Sequence, residues 1–259
     1  MDAPAFAMGP TLRVVPTRLC RIPVVVAVAV RNNGELVLAD AGWSEEACVD
    51  PARVLGRVRA AYLGIKTTAG DSIAAQLRAM GFDLDRVTTI VATHLHIDHV
   101  GGACDFPNAE VVCTDREFAA FRRSPHPGYR TADLAKTGRV RSVSLEGTPS
   151  LGFPASFDLF DDGEIVLLDA RGHTRGNVAV ALRGTMKPYV HIGDAVYQTW
   201  EYGTSPAGPS FAARLQAWSK SDLVQTYGYL RACAADPCEP VLVPSHDMAV
   251  FETLPRGPR

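Results

Sequence analysis

Four side chains able to bind a metal ion fall within six residues of this chain, in the stretch Thr93-His94-Leu95-His96-Ile97-Asp98-His99-Val100-Gly101-Gly102. They follow an apolar run, residues 87–92, that reads as a buried strand. Imidazole and carboxylate groups suit zinc and its first-row neighbours. Alternate residues of an extended chain share a side, so His94 and His96 can reach one ion together. If the chain then turns, Asp98 and His99 are re-aimed at a second ion nearby. Gly101 and Gly102 would permit tight backbone conformations at that turn. Groups of this kind are rarely buried without partners. A fold that accepts this stretch has to bring further ligands to it.

The rest of the composition excludes more than it specifies. At 259 residues the chain can form one large domain or two small ones. A hydrophobic content of 47% with 21% charged residues suits a soluble globular protein. The net charge of −2 gives no electrostatic reason to expect nucleic acid as a partner. The early apolar run, residues 24–30, is far short of the roughly 20 residues of a membrane span. Residues 1–10 lack the basic cluster and apolar core of a secretory signal. The expected location is the cytoplasm. Six cysteines (Cys20, Cys48, Cys104, Cys113, Cys233, Cys238) show no C-x-x-C pair and read as reduced thiols. Cys104, five residues after His99, reads as a buried bystander rather than a ligand.

Strands are expected at residues 11–19, 23–30 and 35–39, with Asn32-Asn33-Gly34 as a hairpin turn. The third ends in Asp40-Ala41-Gly42, where Asp40 has the look of a turn residue. Residues 43–70 hold no clean period beyond a short helix at 51–63. Such an insertion can form a lid or one wall of a pocket, although Trp43, Tyr62, Leu63 and Ile65 are more simply read as packing. Residues 71–80 form an amphipathic helix with Asp71 as N-cap, Ile73, Leu77 and Met80 on one face, and Gly81 as its stop. After the metal-binding stretch come a strand at 109–113 and a helix at 114–123. Thr114 and Glu117 make a capping-box pattern at that helix start. Residues 124–137 are loop, and His126 within it is given no role. Strands follow at 140–145 and 164–168, with turns at 147–152 and 161–163. Then come Gly172-His173-Thr174-Arg175-Gly176-Asn177, strands at 178–182 and 188–192, and Gly193-Asp194-Ala195. His191, on the second of these strands, reads as a hydrogen-bonded core histidine. Residues 212–232 look helical apart from Gly228, and a strand at 240–243 runs into Pro244-Ser245-His246-Asp247.

The pattern H-x-H-x-D-H followed by two glycines resembles the signature of the metallo-β-lactamase superfamily, and the resemblance extends over about residues 11–247. It implies an αβ/βα sandwich of the α/β class, in one domain over residues 1–259, with metals at one edge. Leu36-Val37-Leu38-Ala39-Asp40-Ala41-Gly42 is similar to the superfamily's L-x-D-x-G, whose Asp packs under the metal loop. Gly172-His173-Thr174-Arg175-Gly176 is similar to G-H-T-x-G, which places His173 with His94 and His96 on a first metal. His246 matches the last histidine, which joins Asp98 and His99 on a second metal. Asp194 matches the carboxylate that bridges the two. The implied cofactors are two divalent ions, zinc by default, with iron, manganese or cobalt also accommodated.

Within the superfamily, Asp194 argues against the β-lactamases proper, and His96 argues against the oxygen-reducing flavodiiron branch. Tyr197, three residues after Asp194, resembles the tyrosine that N-acyl homoserine lactonases point into the metal site. Gly70-Asp71-Ser72-Ile73, Gln76-Leu77, Met80-Gly81 and His246-Asp247 extend that likeness. The resemblance implies a quorum-quenching lactonase. A metal-bridging hydroxide would attack the lactone carbonyl, Tyr197 would hydrogen-bond the carbonyl oxygen, and Asp98 would pass a proton to the leaving oxygen. The implied partners are a small lactone and a second copy in a homodimer. A thioester, another ester or a phosphodiester remains an alternative substrate, and a metal-binding module without turnover an alternative class. Arg175 departs from a common proline and Ser245 from a common glycine. Both lie beside the site, as does the segment 198–210 with Trp200 and Tyr202, which is expected to shape the pocket.

Overall fold

The computed structural model describes residues 5–8, 22–123, 128–129, 134, 138–184, 187–203 and 208–255. The expected strand at 11–19, His126 and Cys20 lie outside these residues. Short runs of Val, Ala, Leu and Ile dominate the strands, the composition of sheets covered on both faces. The first sheet contains β1 (Ala5–Met8), β2 (Val25–Val30), β3 (Leu36–Ala39), β4 (Val87–Val91), β5 (Glu110–Thr114) and β6 (Val140–Val143), in that spatial order. Neighbours from β1 to β3 are antiparallel and those from β3 to β6 parallel. The second sheet is ordered β11 (Val241–Pro244), β10 (Tyr189–Gly193), β9 (Val178–Leu182), β8 (Ile165–Asp169), β7 (Ser156–Asp158). Only β10 and β11 pair in parallel there.

The two-residue alternation of each strand divides its side chains between layers. Val25, Ala27 and Ala29 of β2 meet Ile165 and Leu167 of β8 and Val178 and Val180 of β9 in the core between the sheets. Val26 and Val28 turn the other way, into a layer with Ile73 and Leu77 of α4 (Ile73–Ala79) and Phe121 of α6 (Asp115–Arg123). Leu168, Val190 and Ile192 on the outer face of the second sheet pack under Leu223, Tyr227 and Leu230 of α8 (Lys220–Ala234). Helix, sheet, sheet and helix layers make the αβ/βα sandwich.

Local chemistry moves several helix boundaries from their expected places. Residues 51–63 are two helices, α2 (Pro51–Leu55) and α3 (Arg57–Leu63), because Gly56 at φ 83° breaks the path. The unexpected α1 (Glu45–Val49) starts at Ser44, whose side chain accepts the Ala47 N–H. Ser72, not Asp71, is the N-cap of α4, accepting from Ala75 N at 3.1 Å. Asp71 instead accepts the Thr68 N–H in the preceding turn. The 212–232 helix is also two, α7 (Phe211–Gln216) and α8, capped by Ser210 and Ser219, and Gly228 lies inside α8. Trp43 is buried beside Val24, Cys48 and Ile97, a core position rather than a lid. No described helix is long and apolar enough to cross a membrane.

Candidate metal centre

Strand ends from both sheets converge on one edge. After β4 the chain bends at Thr93 and His94 instead of continuing straight, is extended again at His96, and enters α5 (Ile97–Val100), which carries Asp98 and His99. The two glycines after this turn serve close approach, not an unusual conformation. A Cβ on Gly102 would lie 2.3 Å from the carbonyl oxygen of Ala41, and Gly102 N donates to Gly42 O at 2.7 Å. His173 follows β8, Asp194 follows β10 and His246 follows β11. Backbone bonds from Val178 N to Thr93 O (2.9 Å) and from Val25 N to Ser245 O (3.0 Å) lock the edges of the two sheets together there.

The seven residues singled out in the sequence meet at this edge. His94, His96 and His173 group within reach of one ion, as do Asp98, His99 and His246. Asp194 lies between the groups. Its Oδ2 is 3.4 Å from His173 Nε2 and 4.0 Å from His94 Nε2, while Oδ1 is 3.0 Å from His246 Nε2 and 3.2 Å from His99 Nε2. Asp98 Oδ2 lies 4.0 Å from both His99 Nε2 and His246 Nε2. The outer ring nitrogens are taken up elsewhere: Nδ1 of His99 by Asp40 Oδ2 at 2.8 Å, of His246 by Pro23 O at 2.6 Å, of His94 by Thr93 Oγ1 at 3.1 Å. Such bonds fix ring orientation and tautomer and leave the inner nitrogens to a metal.

Buried polar atoms normally have partners, yet Nε2 of His94, Nε2 of His99 and Oδ1 of Asp194 have no hydrogen bond. All three face the common centre, so this donor set fits divalent cations. The electrostatics agree. Burial, with His99, His96 and His173 adding to it, pushes His94 well below its ordinary range, and burial takes His173 down to about 4, so both rings are neutral donors. Burial alone would raise the Asp194 carboxyl, but His246 and His99 hold it well below the usual range. Burial opposes charge on His99, and Asp194, Asp40 and Asp98 outweigh it, so the ring keeps a proton that a bound cation would displace.

Tyr197 stands at the rim, its hydroxyl 3.5 Å from His173 Nδ1 and its ring 5.8 Å from that of His246. Arg175 is exposed and stacks 4.3 Å over Trp218, whose backbone N–H donates to His173 O. Trp200 is exposed and Tyr202 partly buried. Cys104 Sγ bonds to Gly101 O, away from the ligand groups.

Sequence reasoning missed Glu117. Rather than closing a capping box, its buried carboxylate accepts from Leu95 N and Gly176 N, both at 3.0 Å, and from the Tyr129 hydroxyl at 2.9 Å. One signal was available: Glu117 sits three and four residues before Ala120 and Phe121, on the buried stripe of α6.

A sequence model described as the metallo-beta-lactamase superfamily matches residues 22–236. A probable metallo-hydrolase of Mycobacterium tuberculosis is 34% identical over 176 residues, 65% of this chain and 55% of its own length, so the chain spans little more than half of that relative. The N-acyl homoserine lactonase AttM of Agrobacterium fabrum is 27% identical over 242 residues, 92% of this chain and 86% of its own. Among solved structures, an N-acyl homoserine lactone hydrolase with N-hexanoyl-L-homoserine at its catalytic metal center superposes with a TM-score of 0.77 at 17% identity, covering 99% of this chain and 97% of that one. The dizinc quorum-quenching lactonase AidC gives 0.60 at 16%, covering 88% and 74%. The structural likenesses bear on the fold, and the family match with the donor set makes the edge a divalent-metal centre.

Proposed function

The chain belongs to the metallo-β-lactamase superfamily of hydrolases, and from that premise we propose that it opens the ring of a lactone, an N-acyl homoserine lactone foremost. In this reading His94, His96 and His173 would hold one ion and Asp98, His99 and His246 a second, with Asp194 serving both groups and zinc as the metal. Two divalent ions in this cradle supply an activated water and a Lewis acid.

The observation that carries the substrate choice is Tyr197. Burial, with Asp194 and Asp98 adding to it, raises its phenol well above the ordinary range, so the hydroxyl keeps its proton and acts as a donor at neutral pH. Placed 3.5 Å from His173 Nδ1, at the rim of the first ligand group, it can donate to a lactone carbonyl oxygen as that carbon becomes tetrahedral. Asp98 is the most exposed of the two carboxylates, at 22% against 6% for Asp194. Its carboxylate takes the proton that the attacking water gives up and passes it to the ring oxygen as the ester bond breaks, so that lactone plus water becomes a hydroxy acid. The match to AttM along 92% of the chain supports the same reading.

The test is proton release from a short-chain and a long-chain acyl homoserine lactone, with zinc-loaded protein beside a chelated control. Metal-dependent ring opening of either supports the proposal. Protein that holds two ions and opens neither refutes it, and directs the search to thioesters and phosphodiesters.

A further inference from the structure

His191 is a fully buried histidine on β10, between the buried Val190 and Ile192, and its cross-strand neighbours are Val180 and Val243. An aliphatic residue would suit these surroundings, and a polar one costs stability unless it has a partner. The partner is in the other sheet. His191 Nε2–H donates to Asp40 Oδ2 at 3.0 Å, and Nδ1 has no bond. Asp40 is also fully buried and sits at φ 65°, a backbone region that non-glycine residues rarely occupy. Its Oδ1 accepts the Thr93 N–H at 2.7 Å, the Thr93 hydroxyl lies 2.9 Å from Oδ2, and His99 Nδ1 donates to that same Oδ2 at 2.8 Å.

We propose that His191 is a positioning residue for the Asp98–His99–His246 half of the metal centre, acting through Asp40. The oxygen that orients the ring of His99 is the one His191 holds from the opposite side. His191 is also three residues before Asp194, on the far side of the register shift between His191 and Gly193. The histidine half reaches Asp40 only indirectly, through the Thr93 hydroxyl that meets His94 Nδ1 at 3.1 Å, and Glu117 braces it independently at the backbone of Leu95 and Gly176. The two ions should therefore respond differently to loss of His191. The inference rests on the ligand assignment proposed above.

The experiment titrates full-length protein with zinc, and in parallel with cobalt, against a chromophoric chelator, comparing wild type, His191→Met and His191→Gln. His191→Met should weaken the second ion about tenfold, the usual scale for losing an outer hydrogen bond to a metal-binding histidine, and the first by clearly less. The cobalt absorption band of the second equivalent should shift with it. His191→Gln retains an N–H donor and should recover most of the loss. Equal weakening of both ions, or none, overturns the proposal, and so does a His191→Gln no better than His191→Met. Wild-type protein that takes up a single ion overturns this proposal and the ligand assignment together. Two ions with an indifferent His191→Met overturn this one alone. A measurement on unaltered protein stands apart from the folding of any variant. The Nε2–H resonance of His191 should move further when the second equivalent of zinc binds than during the first; a resonance indifferent to the second refutes the proposal.

Discussion

Glu117 Oε2 accepts the backbone N–H of Gly176 at 3.0 Å, across 59 residues of sequence. With its other oxygen on Leu95 N, one buried carboxylate ties the His94–His96 segment to the loop of His173. The space is tight, since a Cβ on Gly176 would lie 2.3 Å from Glu117 N. Glu117→Gln would place an amide donor against one of these N–H groups. We expect a loss of about 1–3 kcal/mol, the cost of an unsatisfied buried group, together with weaker uptake of the first ion. Thermal melts of chelated protein and a zinc titration measure the two effects separately.

Tyr197→Phe removes the rim hydroxyl and leaves the ring. Turnover of a lactone should fall by about 10²-fold, the scale for one donor to a developing oxyanion. Zinc content, read by elemental analysis, should stay at the wild-type value. Loss of metal in this variant would show that the hydroxyl acts on His173 and not on substrate.

Asp194→Ala takes away the oxygens facing both histidine groups. Metal stoichiometry should drop from two ions to one or none, and lactone turnover with it. Two ions retained at wild-type affinity would contradict the bridging role.

A pH effect arises away from the metals. Burial raises the Asp105 carboxyl to about 6, although its Oδ2 accepts the Glu45 N–H at 2.8 Å. The folded value lies above the unfolded value of 3.8, so the native state holds the proton more tightly. Stability contributed by this group is present below pH 4 and is lost as pH rises toward 6. Asp105→Asn keeps an acceptor for Glu45 N and has no charge to bury. In chelated protein it should match wild type near pH 4 and be more stable by on the order of 1 kcal/mol at pH 7, after discounting for solvent. Melting curves across pH 4–8 check the sign.

The metal ligands were legible in the sequence because their pattern is local. That holds for the four proposed ligands within six residues; His173, Asp194 and His246, each some residues after a strand, came only from the family resemblance. Strands β2 to β6 and β8 to β11 were legible because short β-branched runs between turn residues have few other uses, whereas β1 and the three-residue β7 were not expected. What supports the ligands was not legible. Glu117 reaches Leu95 across 22 residues, and His191 reaches Asp40 across 151. No spacing rule covers such distances, so Glu117 looked like half of a capping box, and His191 was read correctly as a hydrogen-bonded core histidine but without its partner. Helix boundaries shifted for a smaller reason: Ser72, Ser210 and Ser219 cap more cheaply than their neighbours suggested.

The ligand residues span positions 94 to 246 and hang from strands of both sheets. An ion that joins them therefore cross-links most of the chain, as a disulfide between distant cysteines would. Whatever binds the native form and not the unfolded one adds to stability in proportion to the logarithm of its free concentration. For this protein, metal scarcity is thus also a folding problem: a cell short of the metal would lose molecules to unfolding and proteolysis as well as losing turnover from the molecules that remain.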